Sequence, residues 1–204
     1  RGLRARTMHA PSGRTVLGVP DEEWRREEVA LLERYIGFGG ELGITDLVIH
    51  PIPNPGSVPN ADDPAVPGLI KDAVKRSLDD LVPAAERAGI RFNLENLPYQ
   101  CDYPFLTMRE LRPLIDPYPE DHVGLIIDTG HVGILRNDPV EEITTAGHRL
   151  RGTHIHDVVG DAADGDHHAP TQGWLDWDAI MRALAYVDYP GPWTFEVIKS
   201  TGDE

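Results

Sequence analysis

The stretch Leu125-Ile126-Ile127-Asp128-Thr129-Gly130-His131 decides the fold: an apolar run stops on an acid, turns at a glycine and presents an imidazole. It is one of a series. Phe92-Asn93-Leu94 ends at Glu95, Gly152-Thr153 leads to His154, and Trp193-Thr194-Phe195 ends at Glu196. Leu47-Val48-Ile49 ends at His50 and Thr7-Met8 at His9. Short apolar runs alternating with helix-length segments read as parallel strands. Such strands send their C-terminal ends to one face, where a βα barrel gathers its chemistry.

The intervening segments support this. Asp21 caps a helix predicted over 21–42, Glu22 and Glu23 favour its first turn, and Val29, Leu32 and Ile36 recur at helical spacing before Gly43. Further helices are predicted over 68–88, 107–116, 139–149 and 176–187, and strands over 4–9, 46–50, 90–95, 122–128, 150–155 and 192–197. The loops 51–67 and 157–173 are long enough to carry function. A complete (β/α)8 TIM barrel has eight strands and about 250 residues. We therefore expect an α/β chain forming a single domain over 1–204, a barrel lacking its first one or two βα units and its last helix. Arg1 rather than Met stands first, which fits a piece of a longer protein.

Composition narrows the function. Thirty-four acidic residues against 19 basic give a net charge of −15, and Lys71, Lys75 and Lys199 are the only lysines. A phosphate backbone needs clustered Lys and Arg, so nucleic acid is not the expected partner. The 40% hydrophobic content and mean hydropathy of −0.34 fit a soluble protein. No apolar run approaches the roughly 20 residues of a membrane helix, and no leader is visible. Cys101 is alone, which excludes an intrachain disulfide framework and a thiolate cluster and favours a cytoplasmic location.

Glu95, Asp128, His154 and Glu196, each at its own strand end, make a mixed oxygen and nitrogen set suited to a divalent metal: Zn, Mn, Co or Mg. A single acid at a strand end reads equally as solvated or as a helix cap; four on four strands do not. Buried carboxylates without partners cost several kcal/mol each, and a cation removes that cost. His131 stands one turn past Asp128, where Gly130 allows a tight turn. His156 follows His154 by two residues, which leaves one to ligate and one to bind substrate or support a ligand. His9, His50 and His167 are further candidates. Asp164 and Asp166 stand close to His167 in its loop, and Trp174 is a candidate wall of a substrate pocket. Tyr99 and Phe105 could cover the site, and His122 and His148 read as surface residues at the opposite end.

Taken together, His9-Ala-Pro, Leu47-Val-Ile-His50-Pro, Asn93-Leu-Glu95-Asn96, Ile127-Asp128-Thr-Gly-His131, Arg151-Gly-Thr-His154-Ile-His-Asp157, the stretch from His167 to Trp177, and Phe195-Glu196-Val resemble the xylose-isomerase-like TIM-barrel superfamily. That superfamily includes sugar-phosphate isomerase and epimerase-like proteins and endonuclease IV. The resemblance implies a metal site at Glu95, Asp128, His154 and Glu196. It implies that His131 contacts substrate or a further metal, that His9 and His50 hold an additional zinc in the nuclease, and that His167 corresponds to the loop imidazole of its third zinc. The pattern departs at Gly165, where the nuclease has Asp, and at Thr171-Gln172-Gly173, where Gly-Glu-Gly is usual. No Arg closely follows His156, as one does in ketose epimerases.

Three functions follow as expectations. The first is a metal-dependent sugar or sugar-phosphate isomerase or epimerase. In it the metal polarises a carbonyl, Glu95 and Glu196 move a proton at the adjacent carbon, and the enediolate is stabilised by the cation and by His131 or His156. The second is a zinc phosphodiesterase on abasic DNA, which the charge opposes. The third is a non-catalytic metal-binding barrel. A small sugar-like substrate is the expected partner, with no membrane, and open sheet edges would favour a homo-oligomer.

Overall fold

Six strands lie parallel in chain order, β1 (Thr7–His9), β2 (Asp46–Ile49), β3 (Arg91–Glu95), β4 (Val123–Asp128), β5 (Leu150–Ile155) and β6 (Thr194–Phe195), each bonded to the next. The computed structural model describes residues 2, 4–12, 15–160 and 165–198, so Asp164 and Lys199 lie outside the described residues. Six helices accompany the sheet: α1 (Glu22–Leu42), α2 (Val66–Ala88), α3 (Met108–Ile115), α4 (Thr129–Ile134), α5 (Pro139–Ala146) and α6 (Trp177–Tyr186). Sequential parallel order with helical crossovers is the arrangement of barrel staves, and the sheet is a curled run of six of them.

The helix ends follow local chemistry. The Asp21 carboxylate accepts the Trp24 N–H at 2.8 Å, and Gly43 closes α1 at φ 72°. Gly89 closes α2 in the same way at φ 65°. Such left-handed caps suit glycine, which has no Cβ to clash. Thr107 and Glu110 form a capping box at the start of α3.

Four elements differ from expectation, the first of them β1, which begins at Thr7 rather than Arg4. Helix α4 is absent from the sequence reading; it starts because the Asp128 carboxylate itself accepts the His131 N–H at 2.7 Å. Helix α5 stops at Ala146, and Gly147, at φ 53°, leads into a 3-10 turn over Gly147–Arg149. The last strand is two residues long rather than six.

Strand alternation divides the sheet into two faces. Leu47, Ile49, Phe92, Leu94, Leu125 and Ile127 join the helix-covered core. The opposite face is polar: Asp46 accepts from Arg91 and Asn93, both at 3.2 Å. Glu95 and Asp128 stand at its C-terminal rim. Among the described residues no helix is long and apolar enough to cross a membrane.

Candidate metal centre

Register places the donors. Asp128 lies opposite His154 across β4 and β5, and His154 opposite Thr194 across β5 and β6, so Glu196 emerges one step beyond its neighbour. Glu95 ends β3, with His9 ending β1 and His50 just past β2.

One ligand atom from each of Glu95, Asp128, His154 and Glu196 lies within 4.8 Å of the others. His154 Nδ1 is 3.0 Å from Glu95 Oε1, 3.1 Å from Glu196 Oε2 and 3.9 Å from Asp128 Oδ2. The other Glu95 oxygen faces His9 Nε2 at 3.3 Å and His50 Nε2 at 3.4 Å, and these three residues form a second compact donor group. The His9 ring stacks on the His154 ring at 5.6 Å. Glu95 and Asp128 are buried, whereas the Glu196 side chain is 37% exposed on the open side.

Three carboxylates around one imidazole make a strongly negative site. Burial alone would lower the His154 pKa, but hydrogen bonds to Glu196 and Glu95 and the nearby charges push it up to about 11. Burial likewise opposes charge on Glu95, yet bonds from His154, His50 and His9 hold it well below the usual carboxylate range. A site that draws a proton so firmly onto an imidazole is one that a divalent cation fits. The buried Nδ1 of His50 has no hydrogen-bond partner, which leaves it free to adapt. Mixed carboxylate and imidazole donors match Zn, Mn, Co or Mg.

The other predicted residues fall around this centre. His131 Nδ1 is 2.9 Å from the Asn96 carbonyl, which can only accept, so Nδ1 carries a proton. His156 is fully buried against Asp128, and His167 stacks on it at 4.3 Å, their planes 4° apart. Trp174 is half-exposed, under the Arg136 guanidinium at 4.4 Å, with its indole N–H on the Gly160 carbonyl. Phe105 is in the core at φ 68°, and Tyr99 stands near enough to Glu95 to feel its charge. His148 is exposed beside Glu120, and His122 is part-buried.

Three supports complete the site; Asn96 and Asp157 had no assigned role in the sequence, and Gly130 was read only as a tight turn. Asn96 clamps β3 to β4: its amide donates to the Asp128 carbonyl at 3.0 Å and its oxygen accepts the Asp128 N–H at 2.8 Å. Gly130 makes room for the His156 ring, since a Cβ there would lie 1.9 Å from Cε1. Asp157 is fully buried and gathers Val158, Thr171, Leu175 and Trp177 around its carboxylate. The usable signal was adjacency: each sits beside a donor or within its motif.

The chain belongs to the xylose isomerase-like TIM barrel family, whose profile matches residues 1–204. It is 30% identical over 175 residues to the uncharacterised protein y4fM of Sinorhizobium fredii, covering 85% of this chain and 54% of that protein. It is 24% identical over 204 residues to a ketose 3-epimerase of Arthrobacter globiformis, covering 98% of this chain and 65% of that protein. The chain thus spans between about half and two thirds of these relatives. Its fold matches a crystal structure of the IOLI protein with a bound zinc atom, with TM-score 0.77 and 19% identity, covering 95% of this chain and 67% of that one.

Proposed function

We propose that this member of the xylose isomerase-like TIM barrel family is a metal-dependent isomerase or epimerase of sugars or sugar phosphates, acting by proton transfer beside a carbonyl. The convergence of Glu95, Asp128, His154 and Glu196 from four neighbouring strand ends carries the reading. Likeness to a ketose 3-epimerase supports the substrate class. The zinc of the IOLI structure is carried over as a divalent ion of unspecified identity.

Glu95, Asp128, His154 and Glu196 would hold the ion. When bound, it would draw electron density from the substrate carbonyl and acidify the adjacent C–H. Glu95, bonded to imidazoles, stays ionised and ready to act as a base. Glu196 reaches the same His154 nitrogen from β6, so the two carboxylates approach from different strands. A substrate carbon between them has a base on either side. Removal by one and return by the other inverts that carbon; return to the neighbouring carbon isomerises the sugar. His131, its Nδ1 held by the Asn96 carbonyl, would turn Nε2 to a substrate oxygen. Trp174 remains the proposed outer wall.

The test is solvent exchange. The purified protein, loaded with one divalent ion at a time, is incubated in D2O with ketoses and their phosphates. Deuterium at the carbon beside the carbonyl, with a new epimer or isomer, is expected. Glu95→Gln and Glu196→Gln should each lower the exchange about 10²–10⁴-fold. A loaded wild type that exchanges no sugar sinks the reading.

Three further compact donor groups among the described residues, His9 with His50 and Glu95, Asp128 with His131 and His156, and His156 with His167 and Glu196, favour a second reading, a multi-zinc phosphodiesterase. Two or three zinc ions per chain, with cleavage of abasic DNA, would establish it in place of the first.

A further inference from the structure

We infer that His156 is a positioning residue: its Nε2–H orients Asp128 and ties that orientation to the loop carrying His167. The link to metal binding rests on the function proposed above; the ring geometry does not.

Hydrogen-bond direction carries the argument. The backbone N–H of His167 points at His156 Nδ1 at 2.9 Å. An amide N–H can only donate, so Nδ1 must hold a lone pair. The ring proton is then on Nε2, which lies 2.8 Å from Asp128 Oδ1 and 2.9 Å from Oδ2. Both nitrogens are engaged and the side chain has no exposed surface. His156 stands within donor distance of Asp128 and His131 and of His167 and Glu196, but its Nε2 is turned to Asp128 and its Nδ1 to the His167 amide, so its action in this conformation is on Asp128. Of the two roles that sequence spacing leaves open for it, substrate contact and support of a ligand, this is the second.

The loop end is equally constrained. His167 has φ 62°, a backbone region that non-glycine residues seldom occupy. Its N–H on His156 and its ring on the His156 ring hold it there. Its carbonyl accepts the Ile198 N–H at 3.1 Å, two residues beyond Glu196. One loop residue is thus bonded towards both Asp128 and the segment carrying Glu196. Outer partners of this kind fix ligand orientation, and their loss typically weakens metal binding 10–100-fold.

Two substitutions separate the roles of the two nitrogens. Gln can place an amide N–H near the Nε2 position, whereas Asn can place an oxygen near Nδ1 but cannot reach Asp128. The metal-free protein, labelled with ¹⁵N-histidine, should show a protonated Nε2 at His156. His156→Asn should bind Mn or Zn about 10–100-fold more weakly at an unchanged fold, verified by circular dichroism, while His156→Gln stays close to wild type. An unprotonated Nε2, direct metal ligation seen at the His156 nitrogens, or wild-type affinity in His156→Asn would each overturn the inference. A wild type that takes up neither ion overturns the proposed function instead, and the tautomer read without metal still decides the Asp128–His156–His167 link.

Discussion

Asp157 and Trp177, 20 residues apart, are joined by a hydrogen bond from the indole Nε1 to the carboxylate at 2.7 Å. The same carboxylate accepts the N–H groups of Val158, Thr171 and Leu175 at 2.8, 2.9 and 3.2 Å. Asp157→Ala would leave these donors without their acceptor, at an expected cost of about 3–5 kcal/mol. Trp177→Phe keeps most of the ring and removes one bond to a charged group, costing about 1.5–3 kcal/mol. Urea unfolding of both variants measures the difference. Equal losses would mean that the Trp177 bond alone accounts for the carboxylate's contribution and that the other three donors add nothing.

Gly130 permits the contact between α4 and the ring of His156. In Gly130→Ala the new methyl would meet Cε1 at 1.9 Å and Nδ1 at 2.1 Å, and neither a packed ring nor a helix start can give that much. We expect a loss of about 1–3 kcal/mol in stability, with weaker metal binding because Asp128 loses its partner. Thermal melting with and without added Mn separates the effects. An unshifted melting point would refute the close packing.

Asp128 has two duties that one substitution can divide. It caps α4 through the His131 N–H and faces the donor cluster with its other oxygen. Asn is as good a cap as Asp, so Asp128→Asn should keep α4 while losing a negative ligand. In wild type, an ion at 100 times its dissociation constant should stabilise the fold by about 2.7 kcal/mol. The variant should show little of that rise at the same concentration. A full rise in the variant would remove Asp128 from the ligand set.

Alkaline pH should unfold the protein through its tyrosines. Burial, with the Glu95 charge, pushes Tyr99 up to about 12, and burial does the same to Tyr189 beneath its bond to the Pro192 carbonyl. For an acid raised in the folded state, stability is unaffected while both states are protonated. It falls once the unfolded chain ionises near pH 10, and the loss is complete above the folded value near 12. Each ring contributes at most about 2.7 kcal/mol, and less for its partial exposure. Urea midpoints measured between pH 9 and 12 should fall, and Tyr189→Phe should flatten part of the slope. A midpoint flat across that range would contradict the assignment.

The parts of this structure legible in the sequence were those governed by short-range rules. Asp21, Thr107, Gly43 and Gly89 mark helix ends through bonds within a turn, and the strand-end acids and imidazoles followed from alternation and parallel order. Longer-range partnerships were not legible. Asp157 finds its donors up to 20 residues away, and His156 receives its amide bond from 11 residues on. Helix α4 escaped because it is only six residues long and too rich in Gly to show a period. The last strand was overextended because Trp193, Val197 and Ile198 are apolar yet lie exposed outside the ladder.

The stack of His9 on His154 joins the first strand to the fifth. Across a flat sheet, four strand spacings of about 4.8 Å would hold these residues roughly 19 Å apart; their rings are 5.6 Å apart. The donor cluster is therefore a gauge of sheet curvature. A substitution among the apolar side chains behind the strands that flattens the sheet would draw the two imidazoles apart from opposite sides of Glu95. Such a change could empty the centre without altering any residue in it, so curvature is itself part of the chemistry that this chain encodes.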